Sequence, residues 1–404
     1  MDNLKQLITK WNDILVEGKP IKSKKVMKTT ALMLENESKY LLEAGSYSEV
    51  GRNAPGTYAS SGDFHQIAVP MVRRTFPELI AHDLVGVQPL TGPVGLAFAL
   101  RFRASGTYNT TTGGTTTNTE LGYNYMDSTW SGDTTTTGFV TSSGELLGSF
   151  PPSGWAGIDT GLGVGSGQAM KEVNMTVEKA QVTALTRKLR SRWSLEVAQD
   201  IKAMHGLDLE EEMLDILAYE ITAEIDRELV NTINTVAVSS GWNYNTSTDG
   251  RWESEKYRTL YNMILRKANT IAINTRRGAG NFVIASPYVC AAMETLASFV
   301  IHPTDGDMNT LVAGVSKMGS LDGRLTVYRD TFATTDYATV GYKGPSEYDA
   351  GIIYLPYIQL MVSKTVFEQS FQPTVGLLSR YAIYQHIFGS NLYYQKIGII
   401  NLPQ

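Results

Sequence analysis

The sequence predicts an α+β protein, and three kinds of stretch carry that prediction. Leu209, Met213, Ile216, Leu217, Ile221, Ile225, Leu229 and Ile233 form one apolar stripe at helical spacing. It runs over about 25 residues, or about 38 Å at 1.5 Å per residue. Leu96, Phe98, Leu100 and Phe102 alternate with Ala97, Ala99, Arg101 and Arg103, the period of a strand with one apolar face. Short apolar runs such as Phe282–Ala285, and a strand-rich tail from Phe371 to Ile400, add strands among the helices of the C-terminal half. With 404 residues, 42% of them hydrophobic, the chain has material for one large or two ordinary domains.

Taken in order, Leu4, Leu7, Ile8, Trp11, Ile14 and Leu15 recur at the spacing of an amphipathic helix, with Asp2 or Asn3 as its cap and Gly18 and Pro20 as its end. Lys19, Lys22, Lys24, Lys25 and Lys28 follow, then a polar helical patch leading to Leu41-Leu42-Glu43-Ala44. Two readings stand: a surface helix with a solvated basic linker, or a detachable segment that docks on another protein through its apolar stripe. Residues 1–43 carry +2 of a total charge of −5, so the rest of the chain carries −7. Such an acidic chain lacks the basic surface from which nucleic-acid binders draw their affinity.

Residues 45–61 are small and polar, the composition of an extended arm. Pro77 suits the first position of a helix containing Leu79, Ile80, Leu84 and Val85, and Pro89, Gly92, Pro93 and Gly95 then turn the chain into the strand ending at Arg103. The stretch 106–168 is distinct in composition, with 15 Thr, 14 Gly and no Lys or Arg. Its aromatic anchors, among them Trp130 and Trp155, favour a projecting β-rich loop over a linker. Val173 to Val177 alternates again and is expected to return beside the strand 96–103.

Arg187, Lys188, Arg190 and Arg192 are the densest positive charge, and strand spacing puts Arg190 and Arg192 on one face with Leu189 and Trp193 near the other. A charged edge facing a neighbouring subunit competes here with a nucleic-acid contact. Ser194 caps a helix ending at Gly206, and Asp208 with Glu211 opens the long helix in capping-box fashion. Glu220, Glu224 and Glu228 lie at i, i+4, i+8, but no histidine matches them, so they read as a solvated or subunit-facing stripe. Ser239 to Gly250 reads as a break between domains, Glu253 to Thr275 as a helix, and Ser286-Pro287 as the start of a helix carrying Cys290.

Catalytic and ligand-binding signatures are scarce. The five histidines are scattered, Asp305-Gly306-Asp307 is too short for a calcium loop, and the Gly161 to Gly167 run lacks the strand–turn–helix context of a dinucleotide loop. The lone Cys290 excludes an intramolecular disulfide framework and reads as a core thiol. Asn109, Asn174 and Asn245 begin sequons, which are expected to stay unused because the N-terminus does not read as a secretory signal. No run reaches the roughly 20 apolar residues of a spanning helix, so no stable membrane insertion is expected. No catalytic residue, metal site or cofactor is assigned.

Four long stretches resemble the major capsid protein family of T-even-like tailed bacteriophages: FPELIAHDLVGVQPLTGPVGLAFALRFR from Phe76, EVAQDIKAMHGLD within Leu195 to Ile233, RRGAGNFVIAS from Arg276, and VGYKGPSEYDAGIIYLPY from Val340. The resemblance implies an HK97-type capsid fold. Its parts would be an N-terminal scaffold-interacting propeptide at 1–43, an arm at 44–75 and the first peripheral part at 76–105. An extended loop at 106–168, shorter than the inserted domain of relatives, would follow. The peripheral domain with its spine helix at 169–240, an axial domain at 241–360 and peripheral strands at 361–404 would complete the chain.

The implied function is a shell protein forming hexameric capsomers around double-stranded DNA without sequence-specific binding, assembled in the host bacterial cytoplasm and residing in the virion. Its implied partners are other copies, a scaffold, a prohead protease, vertex proteins and decoration proteins. The protease of the family cuts after Glu in an Ile/Leu-x-Glu context, which points to the bond between Glu43 and Ala44. Arg101, Arg103, Arg190 and Arg192 are then candidate subunit contacts. The alternatives are the pentameric vertex paralogue and, from another class, a carbohydrate-binding tail or adhesin protein.

Overall fold

The structure, a computed structural model, describes residues 7–16, 21, 23–48, 79–105, 107–109, 115–117, 172–244, 250–275, 277–301, 315–347, 349–367, 372–386 and 389–403. For residues 40–48 and 97–105 it describes the backbone alone. Contacts divide the chain into a larger unit (Met1–Gly95, Gln181–Ile273, Arg277–Gln404) and a smaller one (Leu96–Ala180, Asn274–Arg276). The α+β expectation holds.

The described helices are α1 (Asn12–Val16), α2 (Lys24–Ser48), α3 (Ala81–Leu84), α4 (Leu195–His205), α5 (Leu209–Val236), α6 (Glu253–Thr275) and α7 (Pro287–Glu294). The strands are β1 (Gly86–Val87), β2 (Val94–Ser105), β3 (Thr107–Asn109), β4 (Thr115–Thr117), β5 (Glu172–Thr183), β6 (Leu185–Arg192), β7 (Val238–Asn243), β8 (Phe282–Ala285), β9 (Phe299–Ile301), β10 (Val315–Leu321), β11 (Leu325–Asp330), β12 (Tyr337–Gly341), β13 (Ile352–Phe367), β14 (Gln372–Gln385) and β15 (Tyr394–Ile400).

A seven-stranded sheet runs β7-β15-β12-β8-β11-β10-β9, and a four-stranded sheet runs β1-β13-β14-β6. In the first, β8 lies between β11, parallel, and β12, antiparallel, and all four of its residues are buried. That explains its unbroken apolar run, since a strand covered on both faces has no polar side to alternate with. In the second, β13 and β14 pair antiparallel from Ile352↔Gln385 to Phe367↔Gln372, with register shifts on either side of Ile358. Pro356, which has no N–H to give the ladder, sits beside the first of them. The expected partnership of β2 and β5 is present as a two-stranded sheet, and β3 pairs with β4 inside the Thr/Gly-rich stretch.

Helix starts follow local chemistry. Ser194 accepts a hydrogen bond from the N–H of Val197, α4 ends on Gly206 at φ 70°, and Asp208 accepts from the N–H of Glu210 at the head of α5. At α7 the helix starts at Ser286-Pro287 as expected, but Ser286 makes no side-chain capping bond and donates instead to Asp336 at 2.8 Å. The start is held by Pro287 and by burial of Val289, Cys290 and Met293.

Three further expectations change. Part of the Ser239 to Gly250 stretch, read as a break, is the edge strand β7, parallel to β15 from Gln395↔Val238 to Ile400↔Asn243. Its small polar residues conceal a strand because tertiary pairing outweighs local preference. Ile216 lies outside the buried stripe of α5 and is 58% exposed, while Leu214, Ala218 and Asp226 are inside it. In the N-terminal segment Lys24, Lys25 and Lys28 are exposed as read, but α2 begins at Lys24 among the lysines, and Trp11, Leu15, Ala31, Met33 and Leu34 are buried in the same continuous core as Leu84, Val87, Ile225 and Tyr354. The apolar stripe faces the chain's own body, fastened by bonds from Asn36 to the Leu90 carbonyl at 2.8 Å and from Lys25 to the Pro345 carbonyl.

Candidate subunit-contact surfaces

Strand β6 is an edge of the four-stranded sheet, paired with β14 from Thr374↔Arg192 to Tyr381↔Leu185. Its side chains alternate between faces. Arg187 and Leu189 are half-buried, whereas Lys188, Arg190 and Arg192 are exposed. Arg190 and Arg192 therefore share an exposed face as expected, and Arg192 also donates weakly to the Gln372 side chain at 3.5 Å.

Arg187, on the other face, was missed as a distinct element of the site. Its guanidinium donates to Glu228 at 2.5 Å, to Glu224, and through Nε to the Tyr381 hydroxyl at 2.9 Å; Tyr381 in turn donates to Glu228. Burial alone would pull the Arg187 pKa down, but the bonds with Glu224, Tyr381 and Glu228 outweigh it and raise it. Glu224 and Glu228 thus have an intramolecular partner that the sequence reading did not name, while both stay partly exposed and Glu220 of the same stripe is exposed. The signal was present as an arginine at an inward strand position and two glutamates one turn apart, but only the packing of β6 on α5 joins them. A cleft of about 600 Å³ opens beside this group, lined also by Arg227, Asn231 and Thr232.

The remaining predicted residues are placed as follows. Arg101 and Arg103 lie on β2, where the backbone alone is described. Glu43 and Ala44 lie within the helical backbone of α2, with side chains outside the described residues. Cys290 is buried, and desolvation pushes its thiol up to about 12, against a nucleophilic role. Among the described residues no group of three or more His, Cys, Asp or Glu is placed to hold a metal ion, and no helix is long and apolar enough to cross a membrane.

What unites these features is a chain whose conspicuous groups are structural or outward-facing. The family model described as Major capsid protein Gp23 matches residues 61–399. The chain belongs to the Gp23 major capsid protein family. The major capsid protein of Salmonella phage ViI is 33% identical over 94% of this chain and 90% of its own length. The capsid vertex protein of Enterobacteria phage T4 is 27% identical over 54% of each chain, a partial relationship beside the nearly complete one to the Gp23 proteins. Among solved structures, the capsid of Myoviridae phage XM1 is 12% identical, with a TM-score of 0.42 over 78% of this chain and 90% of that one. Gp23 proteins are structural proteins of the phage head, so the shell reading of the sequence stands at that level.

Proposed function

We propose that this chain is the hexamer-forming shell protein of a phage head: copies assemble into capsomers around a scaffold, residues 1–43 are cut away between Glu43 and Ala44, and the matured shell encloses double-stranded DNA. The observation that carries this reading is the match to Gp23 proteins along nearly the whole chain, against half of it for the vertex protein. In this reading α5 acts as the spine of a peripheral domain that includes the four-stranded sheet with β13 and β14, and the axial domain is built on the seven-stranded sheet, which takes β15 from the 361–404 stretch, in an HK97-type arrangement. The role is structural and not catalytic. A mature chain at −7 repels DNA more than it grips it, which suits packing and release of a genome. Arg101 and Arg103 act as subunit contacts, and Arg103→Glu is expected to block assembly of a folded monomer.

The core position of the N-terminal segment bears on maturation. Cutting at Glu43 would detach Trp11, Leu15, Met33 and Leu34 from the core they help fill, so excision would uncover apolar surface and favour rearrangement of the shell. The bond itself sits in a helix, and the helix has to unwind locally before a protease can take it as an exposed loop. Mass spectrometry and electron microscopy of purified heads test the reading together: hexameric capsomers built from a chain starting at Ala44 are expected. Particles with a chain starting at Met1 would overturn the cut, and pentamers confined to vertices would overturn the hexamer assignment.

A further inference from the structure

The length from Leu195 to Tyr219, comprising α4, its turn and the first turns of α5, carries six large apolar side chains left in solvent. Leu195, Val197, Met204, Leu207, Ile216 and Tyr219 are between 46% and 80% exposed. Helix α4 is amphipathic in sequence yet buries none of its eleven residues, so its apolar positions lack the cover that such a pattern normally serves. The surroundings are net acidic: Glu196, Asp200, Glu211 and Glu212 are all exposed, against the exposed Lys202 and His205 in the last turn of α4. The opposite chemistry lies on β6, whose exposed face presents Lys188 and Arg190. One chain cannot bring that face onto its own α5, because α5 already holds the other face of the strand through Arg187.

We propose that the acidic-rimmed apolar surface of α4 and α5 receives a second copy of this chain, which presents the Lys188 and Arg190 face of its β6. Charge complementarity selects the occupant, since the exposed apolar side chains supply attraction without direction and the ionic rim supplies register. The giving and receiving surfaces are different parts of one chain, so the contact is heterologous: each copy gives once and receives once. Such contacts close into rings or extend into lattices, whereas a two-fold dimer uses one self-complementary patch. The inference rests on the shell reading and names the partner surfaces within it.

The test is charge exchange in the full-length chain, supplied as the sole source of shell protein in infected cells, with particle yield measured by sedimentation and electron microscopy. K188E/R190E and E211K/E212K are each expected to lower particle yield at least tenfold while the purified monomers stay folded, E211K/E212K melting slightly lower because it puts positive charge at the head of α5. The chain carrying all four substitutions is expected to recover most of the yield, because each receiving surface again meets its opposite. Single-surface variants that assemble normally, or loss without recovery in the fourfold variant, would overturn the pairing while leaving the shell reading intact. A wild-type chain that forms no shell in the same cells would bring down the shell reading, and this inference with it.

Discussion

Arg187 on β6 and Glu228 on α5 are joined at 2.5 Å across 41 residues of sequence, and Tyr381 on β14 closes the triangle by accepting from one and donating to the other. The long helix is thereby pinned to two adjacent strands of one sheet. Arg187→Ala is predicted to destabilise the monomer by about 1–3 kcal/mol, the range for charge-assisted bonds in a partly exposed setting. Arg187→Lys should recover only part of it, because an ammonium lacks the planar fork that reaches both glutamates and the phenol. Chemical denaturation of the monomer checks both. Equal stability of the Ala variant would show that the network contributes nothing net.

Asp226 is the one acidic residue in the buried face of α5, where it accepts from the Ile80 N–H at 3.3 Å. Burial raises its carboxyl to about 7, partly opposed by that bond. The folded value exceeds the ordinary 3.8, so the folded form holds the proton longer, and the associated stability is complete below about pH 4 and lost as pH rises towards about 7. Asp226→Asn keeps the acceptor oxygen and removes the ionisation. It should flatten this part of the pH–stability profile and stabilise the fold at pH 8 by up to about 4 kcal/mol, at about 1.4 kcal/mol per pKa unit. Melting from pH 4 to 8 decides it; an unchanged slope would be contrary.

Glu37 is 1% exposed on α2, and its Oε1 has no hydrogen-bond partner. Desolvation pushes its carboxyl up to about 8, so the docked segment is held best with the proton on, and docking weakens as pH rises from about 4.5 towards 8. Hydrogen exchange in 24–39, corrected for base catalysis, should therefore speed up between about pH 5 and 8 in the wild type. In Glu37→Gln it should not. Identical pH dependence in both would remove Glu37 as the weak point of the docked segment.

Gly341 on β12 faces the Phe282 ring so closely that an added Cβ would lie 2.2 Å from it. The ring cannot yield readily, since Phe282 is 3% exposed and also packs 6.4 Å from the Tyr394 ring. Gly341→Ala is predicted to cost about 1–3 kcal/mol by overpacking, measured as a fall in the denaturation midpoint. A neutral result would mean that the ring has room to shift.

The sequence by itself determined the parts whose signals are local. The ends of α6 and the capped starts of α4 and α5 were legible, because a Ser or Asp cap, a terminal Gly and a 3.6-residue apolar period act within a turn or two. The return of β5 beside β2 and the exposed face of Arg190 and Arg192 followed from alternation alone. The tertiary structure decided what depends on partners distant in the chain. It made β7 a strand through pairing with β15, gave Glu224 and Glu228 their arginine, turned Ile216 outward, and buried Trp11 and Leu15 in the body they seemed free to leave. The physical reason is the same in each case: periodicity says which face of an element is apolar or charged, but only packing decides what that face meets.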